Sequence, residues 1–148
     1  MNDQIKNDVE LDDVYVMFWR LVQMAVHRYG SHPTGELLIV LTIVLLDHAG
    51  YNPTVTELAE ITNLPKSSVS RYVSTEMGIG FLEEVIDPRD RRRRLLRPTE
   101  KAREEQKWHR EQVREIARLQ RVATQGLGTT ANPGADLKAL LQSFAHHD

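Results

Sequence analysis

The stretch 54–99 constrains the fold more than any other part of the chain, because it predicts two helices, a tight turn between them and a hairpin after them. The first helix begins with a capping signal, in which Thr54 or Thr56 accepts a hydrogen bond from a free backbone N–H group. Glu57 stands three residues after Thr54, as a capping box requires. Asn63-Leu64-Pro65 then ends the helix, because the residue before a proline is disfavoured in helical conformation.

The second helix is predicted to begin at about Lys66 and to have two different faces. Val69, Tyr72 and Val73 recur at helical spacing on one face, while serines and an arginine occupy the other. A polar face of this kind can enter the major groove of DNA, where arginine pairs with guanine and serine contacts bases or phosphates. A solvated helix surface without a ligand is the competing interpretation. The candidate DNA contacts on this helix are Lys66, Ser67, Ser68, Ser70, Arg71 and Ser74.

Arginines are concentrated between two predicted short strands at 83–86 and 95–96. The connecting residues 87–94 contain five arginines and two aspartates, although the net charge of the whole chain is -2. Affinity for phosphate depends on local charge density, and many of the acidic side chains lie in the first thirteen residues. The pattern predicts a winged helix-turn-helix, with Asp90, Arg91, Arg92, Arg93 and Arg94 as candidate contacts of the wing.

The stretch 54–99 resembles the MarR family of bacterial transcription regulators. The residues that carry the resemblance are Val55, Glu57-Leu58-Ala59, Leu64, Val69-Ser70-Arg71, Val73, Gly80 and the wing signature Asp87-Pro88-x-Asp90-x-Arg92 followed by Thr99. The resemblance implies a mainly α fold, in which a winged helix-turn-helix joins a helical dimerisation lobe. It further implies a single domain over 1–148, with the DNA-binding region at 54–99 and the dimerisation and connecting region at 12–49 and 100–148.

The chain departs from the pattern of the family at two places that bear on the fold. Glu76 replaces a leucine in the apolar stripe of the second helix, where an unpaired carboxylate is costly. Either a cation meets Glu76, or the helix unwinds early at the glycines that follow and Met77 turns inward. Pro98 also replaces a leucine, which predicts that the last strand of the wing ends at Leu96.

The flanking segments are predicted to be helices. The segment 14–29 is apolar on nearly all sides, which predicts a subunit interface in addition to an internal core, an ordinary central helix being the alternative. The segment 36–49 contains ten consecutive mostly apolar residues, too few to span a bilayer, and therefore predicts a buried helix. A long helix is predicted from Thr99 to about Thr124 and an amphipathic one at 137–144, after a loop at 126–134. The resemblance implies a homodimer formed by the first and the C-terminal helices.

The resemblance also implies how such a regulator acts. A small organic ligand, often an aromatic acid, binds between the two lobes and relieves repression at a pseudo-palindromic operator. In the wing, Asp90 orients Arg92 for the minor groove through a charge-assisted hydrogen bond, and the neighbouring arginines lie along phosphates. Aromatic side chains with cationic neighbours suit the binding of such an acid. The candidate ligand-binding residues are Trp19, Arg20, His27, Tyr29 and His32. The alternative is that they are ordinary core and rim residues.

Other classes of function find less support in the sequence. The absence of cysteine excludes disulfides and thiolate metal sites and fits a reducing cytoplasm. The polar, acidic N-terminus is unlike a signal peptide, so a cytoplasmic protein without a membrane association is expected. The sequence contains no glycine-rich phosphate loop and no H-E-x-x-H helix, so nothing in it suggests an enzyme. No cofactor is predicted.

Two alternatives to a ligand-relieved repressor remain open. A metal-responsive regulator of the same fold would need His27, His32, His48 and His109, which lie on four separate segments, to converge. The prediction for metal is nevertheless none. The second alternative is a winged helix that docks an acidic protein partner through its arginines.

Overall fold

The computed structural model describes residues 12–144, and within that range the chain is mainly α-helical, as predicted. The elements in order are α1 (Asp13–Tyr29), α2 (Thr34–His48), α3 (Val55–Thr62), α4 (Lys66–Gly78), β1 (Leu82–Ile86), β2 (Arg94–Pro98), α5 (Glu100–Thr124), a 3-10 turn (Leu127–Thr129) and α6 (Pro133–Phe144). The acidic N-terminal residues before position 12 and the two C-terminal histidines lie outside the described residues.

The described residues divide into two compact units. The helical unit comprises 12–30 and 110–144, and the winged unit comprises Ser31–His109. Helix α5 contributes to both units, because the division falls between its residues 109 and 110. Helix α2, which the sequence assigned to the dimerisation and connecting region, belongs to the winged unit.

The core of the winged unit is apolar and fully enclosed. Helix α2 contributes Ile39 and Ile43, which explains the apolar run in its sequence, and α3 contributes Leu58. The other members of this core are Val69, Val73, Leu82 and Leu96. Burial of each such side chain contributes about 1.5–3 kcal/mol, so the core holds α2, α3, α4 and both strands together.

Local signals determine where α3 begins and ends. The Thr54 hydroxyl accepts a hydrogen bond from the Glu57 amide (3.2 Å), and Glu57 Oε1 accepts one from the Thr54 amide (3.1 Å). Thr54 is therefore the cap, and Thr56 is not. Asn63 ends the helix with a φ of 56°, a left-handed conformation that asparagine tolerates better than most residues. Helix α4 then begins at Lys66, as predicted.

Helix α4 does not unwind before Glu76, so that part of the alternative is wrong, whereas Met77 does pack partly buried against the core, as expected. The helix continues to Gly78, and Glu76 lies inside its last turn with only 6% of its surface exposed. The helix closes through Gly80, whose φ of 80° is accessible to glycine. There the Gly80 amide donates to the Met77 carbonyl (3.1 Å) and the Phe81 amide donates to the Glu76 carbonyl (2.9 Å).

The two wing strands are antiparallel, and the second is longer than predicted. Leu82 pairs with Pro98, so β2 does not end at Leu96. A proline is tolerated there because it is the last residue of the strand, where its missing N–H group removes no interior hydrogen bond. Its side chain is also fully buried, which compensates for the leucine that it replaces. Thr99 caps α5 as predicted, by accepting a hydrogen bond from the Ala102 amide (3.2 Å).

The helical unit leaves much apolar surface open. No residue of α1 is fully buried, and its exposed apolar side chains are Val14, Tyr15, Phe18, Trp19, Val22 and Val26. Asp12 caps α1, and the Thr124 hydroxyl donates a hydrogen bond to the carboxylate of Asp13. In the part of the chain that the structure describes, no single helix is long and apolar enough to cross a membrane. The stretches of α1 and α2 reach that length and composition only when they are added together.

Candidate nucleic-acid interface

The two faces of α4 differ in burial as the sequence predicts. Val69 and Val73 are 0% and 2% exposed, and Tyr72 packs partly buried against the same core. On the opposite face Lys66, Ser67, Ser70, Arg71 and Ser74 are exposed, while Ser68 is half-buried. The guanidinium of Arg71 lies 5.3 Å from the centre of the Tyr72 ring, a distance at which the ring attracts the cation.

The aspartates of the wing signature shape the backbone of the loop. Asp90 Oδ1 accepts a hydrogen bond from the Arg92 amide (3.0 Å), and the Asp90 carbonyl accepts one from the Arg93 amide (2.9 Å). Asp87 Oδ1 accepts a hydrogen bond from the Arg89 amide (2.9 Å). The resemblance implied a bond between Asp90 and the Arg92 guanidinium. In this structure Asp90 instead positions Arg92 through its backbone amide.

Arg93 is held by carboxylates on both sides. Its guanidinium nitrogens lie 3.0 Å from Glu57 Oε1 and 3.3 Å from Asp87 Oδ2. The Tyr51 hydroxyl also donates a hydrogen bond to Glu57. This bond, assisted by the hydrogen bonds with Thr54 and the charge of Arg93, lowers the pKa of Glu57 and keeps it anionic.

Arg93 thus has partners that the sequence did not suggest. The phosphate contact implied for it stays a prediction, and its ion pairs connect the wing to the first turn of α3. Tyr51, Glu57 and Asp87 were not among the candidate site residues. The capping pattern pointed to Glu57 only as a helix cap, and no local pattern pairs residues 57 and 93.

The remaining wing arginines leave positive charge at the tip of the loop. Arg89, Arg91 and Arg92 are exposed, and none of them forms an ion pair within residues 12–144. Arg94 lies 3.7 Å from Glu84 across the strands, on an exposed surface where such a pair is weak. The loop thus presents three arginines whose guanidinium groups are available to an anion.

The candidate ligand residues are divided between the units. Trp19, Arg20, His27 and Tyr29 lie on α1 in the helical unit, and His32 lies in the winged unit. The Arg20 guanidinium lies 4.3 Å above the ring of Phe144, and the Trp19 ring is 6.4 Å from the same ring. Phe144 was not among the sequence candidates, which treated it only as part of an amphipathic helix.

Glu76 lies beside a second buried carboxyl group. His32, Glu36 and Glu76 place one nitrogen and two carboxylate oxygens within 4.8 Å of one another. Burial and a hydrogen bond with Glu36 raise the pKa of Glu76 to about 8. Of the four histidines considered for a metal, only His32 belongs to a group of this kind among the residues described.

Replacement of Glu76 by glutamine is expected to remove a pH dependence of stability. The folded-state pKa of Glu76, about 8, exceeds its unfolded value of 4.5. The stability of the folded state that depends on protonated Glu76 is therefore complete below pH 4.5 and is lost as pH rises through 8. Wild-type protein should lose about 1–3 kcal/mol of unfolding free energy between pH 6 and 9 in the presence of a chelator. Urea unfolding at both pH values measures the loss. An equal loss in E76Q would show that another group titrates.

Solved structures confirm the fold. Wild-type MarR from E. coli has 16% identity with this chain, covers 88% of it and 92% of its own length, and has a TM-score of 0.54. A protein with unknown function from Listeria innocua has 20% identity, covers 89% of this chain and 84% of its own, and has a TM-score of 0.56. A probable transcriptional regulator from Pseudomonas aeruginosa has 20% identity, coverage of 88% and 92%, and a TM-score of 0.50.

The sequence itself matches one family description over a shorter range. Residues 44–85 match the IclR helix-turn-helix domain, a stretch that includes the end of α2, both helices of the motif and most of β1. No curated protein matches the chain. The expected resemblance to MarR regulators is thus confirmed at the level of the fold.

Proposed function

We propose that this chain, which has the fold of MarR-type winged helix-turn-helix proteins, is a DNA-binding transcription regulator and not an enzyme. The observation that carries the proposal is the winged unit itself. There an exposed serine and arginine face on α4 accompanies three arginines at the loop tip that form no ion pair with any residue the structure describes. Both features have the chemistry that binds DNA, and neither is needed to hold the fold.

The two features have different tasks in this proposal. Helix α4 enters the major groove, where Arg71 reads guanine and the serines contact bases or phosphates. Arg92 enters the adjacent minor groove, whose negative potential is strongest where A·T pairs narrow it. Arg91 and Arg94 contact phosphates, which fix the position of the protein without reading sequence. Arg93 contributes by holding the wing at the start of α3.

The wing is tested by two substitutions of Asp90 that separate geometry from charge. Asp90→Ala removes the acceptor of the Arg92 amide, whereas Asp90→Asn keeps an acceptor oxygen and removes only the negative charge. The operator is here the duplex that wild-type protein selects from genomic fragments. We expect D90A to weaken binding to this operator by about tenfold, because two wings are displaced in each complex. D90N should bind within about threefold of wild type.

Fluorescence anisotropy with operator and with random duplex measures both affinities. Arg91→Ala is the comparison, because it should weaken binding to both duplexes and reduce the salt slope by about one for each phosphate that the variant no longer neutralises. Tighter operator binding by D90A, as simple charge counting expects, would contradict a structured wing. It would leave the loop as an electrostatic patch.

We further propose that the regulator is a homodimer. The exposed apolar side chains of α1 support this, since a patch of this kind on one chain is suited to burial against a second copy. A symmetric dimer presents two copies of α4, so the operator is proposed to contain inverted half-sites about one helical turn apart, centre to centre.

Repression relieved by a small organic anion is the remaining part of the proposal. Arg20 supports it, since a guanidinium above the Phe144 ring and beside Trp19 suits an aromatic carboxylate. Arg20→Ala should raise the dissociation constant for benzoate, used as a probe, by about tenfold and leave operator affinity unchanged. Arg114→Ala, at an exposed position of the same unit, is the control. Unchanged benzoate binding by R20A in titration calorimetry would contradict this assignment.

A further inference from the structure

Three side chains of the winged unit converge where α2 begins and α4 ends. His32 precedes α2, Glu36 lies in the first turn of α2, and Glu76 lies in the last turn of α4. One potential ligand atom from each lies within 4.8 Å of the other two. Neither the apolar core nor the proposed DNA contacts require this combination of groups.

Glu36 is buried, and one of its two carboxylate oxygens has no hydrogen-bond partner among the described residues. Only 4% of its surface is exposed, and its Oε1 atom is buried without a hydrogen-bond partner among the residues described. The Nδ1 atom of His32 is 3.9 Å from this oxygen, beyond hydrogen-bond distance. A buried carboxylate oxygen without a hydrogen bond is costly, so this atom is suited to a ligand that the protein alone does not provide.

Glu76 adds a second carboxyl group to the same place. Glu76 is also buried, with only 6% of its surface exposed, and two buried carboxylates so close together cannot both be charged without compensation. A divalent cation would compensate both charges at once.

We propose that His32, Glu36 and Glu76 bind a divalent transition-metal ion of the zinc type. One imidazole nitrogen and two carboxylates are a set of three protein ligands that Zn²⁺ accepts, with water in the fourth position. The exposed side of His32 gives that water and the entering ion access to solvent. Mg²⁺ and Ca²⁺ prefer oxygen ligands alone, so the imidazole disfavours them.

The observed spacing is close to what the ion requires. Ligand distances of about 2.0–2.2 Å in a tetrahedral site place neighbouring ligand atoms roughly 3.3–3.6 Å apart. The longest ligand-to-ligand distance, at most 4.8 Å, therefore has to shorten by up to about 1.2–1.5 Å. The His32 side chain, which is 44% exposed, is the ligand with room to move toward the two buried carboxylates.

Such an ion would link α2 to the C-terminal end of α4. Because α4 is the proposed recognition helix, any effect on regulation rests on the proposed function. The metal site itself does not rest on it. The experiment therefore uses no DNA, so that failure of the site and failure of the proposed function can be told apart.

The test titrates Zn²⁺ into the full chain in competition with a chromophoric chelator, with Co²⁺ absorption as a second probe of the ligands. We expect one ion per chain and a melting temperature that rises with free Zn²⁺. Loss of an outer-shell partner typically weakens a metal site about 10–100-fold, so loss of a direct ligand in H32A should cost at least about 100-fold. H48A, which removes an exposed histidine at the opposite end of α2, should bind as wild type does.

The two carboxylates provide independent variants. E36Q and E76Q should each reduce Zn²⁺ affinity to a similar extent and abolish the rise in melting temperature. Circular dichroism in the presence of a chelator checks that these two variants fold. H32A alters an exposed side chain, so this variant tests the site even if a buried variant unfolds. Wild-type affinity and stoichiometry in H32A, or equal losses in H32A and H48A, would overturn the proposal.

Discussion

Replacing Arg71 with glutamate is expected to abolish tight operator binding while the protein remains folded. Arg71 lies on the exposed face of α4, so its substitution leaves the apolar core intact. An arginine that pairs with a base contributes about 1–3 kcal/mol of discrimination, and a dimer loses two of them. We therefore expect a loss of about 2–6 kcal/mol, or roughly 30-fold to more than 10⁴-fold in operator affinity.

The control for this substitution is Arg114→Glu, which makes the same charge change at an exposed position of the helical unit. It should lower affinity only slightly, through long-range repulsion that salt screens. Anisotropy titrations and urea unfolding measure binding and stability separately. Equal losses in both variants would mean that α4 contributes charge alone and does not read the operator.

Replacing Phe18 with glutamate is expected to dissociate the proposed dimer. Phe18 is 58% exposed in the single chain and lies between Val14 and Val22, which are also exposed, at helical spacing along α1. A buried aromatic anchor typically contributes about 2 kcal/mol or more, and a symmetric interface contains it twice. The dimer dissociation constant should therefore rise by roughly 10³-fold, and operator affinity should fall with it.

Sedimentation equilibrium measures this change directly. Gln125→Glu, which adds one negative charge at an exposed position after α5, is the matched control and should remain dimeric. Removal of the chain beyond Gly126 should also abolish dimerisation, because the last helix is proposed to share the interface. A dimeric F18E protein that binds the operator normally would place the interface elsewhere.

Features encoded by residues close together in the sequence could be predicted well. Thr54 and Glu57 form the capping box that their spacing indicates, and the faces of α4 follow from its helical period. The wing signature also predicts the loop, since Asp90 accepts its hydrogen bond from an amide only two residues away. In each case the interaction spans a few residues, so the pattern contains the information.

Interactions between distant residues could not be predicted from local patterns. Arg93 forms an ion pair with Glu57, 36 positions away, and this pairing connects the wing to α3. Glu76 was recognised as anomalous. Its neighbour Glu36 lies in the first turn of an apolar helix far away in the sequence, so no local pattern connects the two residues. The length of β2 was underestimated because Pro98 suggested a break, whereas burial of its side chain favours the strand.

The most direct test of the central claim compares two affinities of the wild-type protein. Genomic fragments that the protein retains yield a candidate operator, and its dissociation constant is measured beside that of a random duplex of equal length at physiological salt. A sequence-specific regulator should bind the operator at least about 10³-fold more tightly, through half-sites about one helical turn apart. Equal affinity for both duplexes, or no binding to either, would contradict the account.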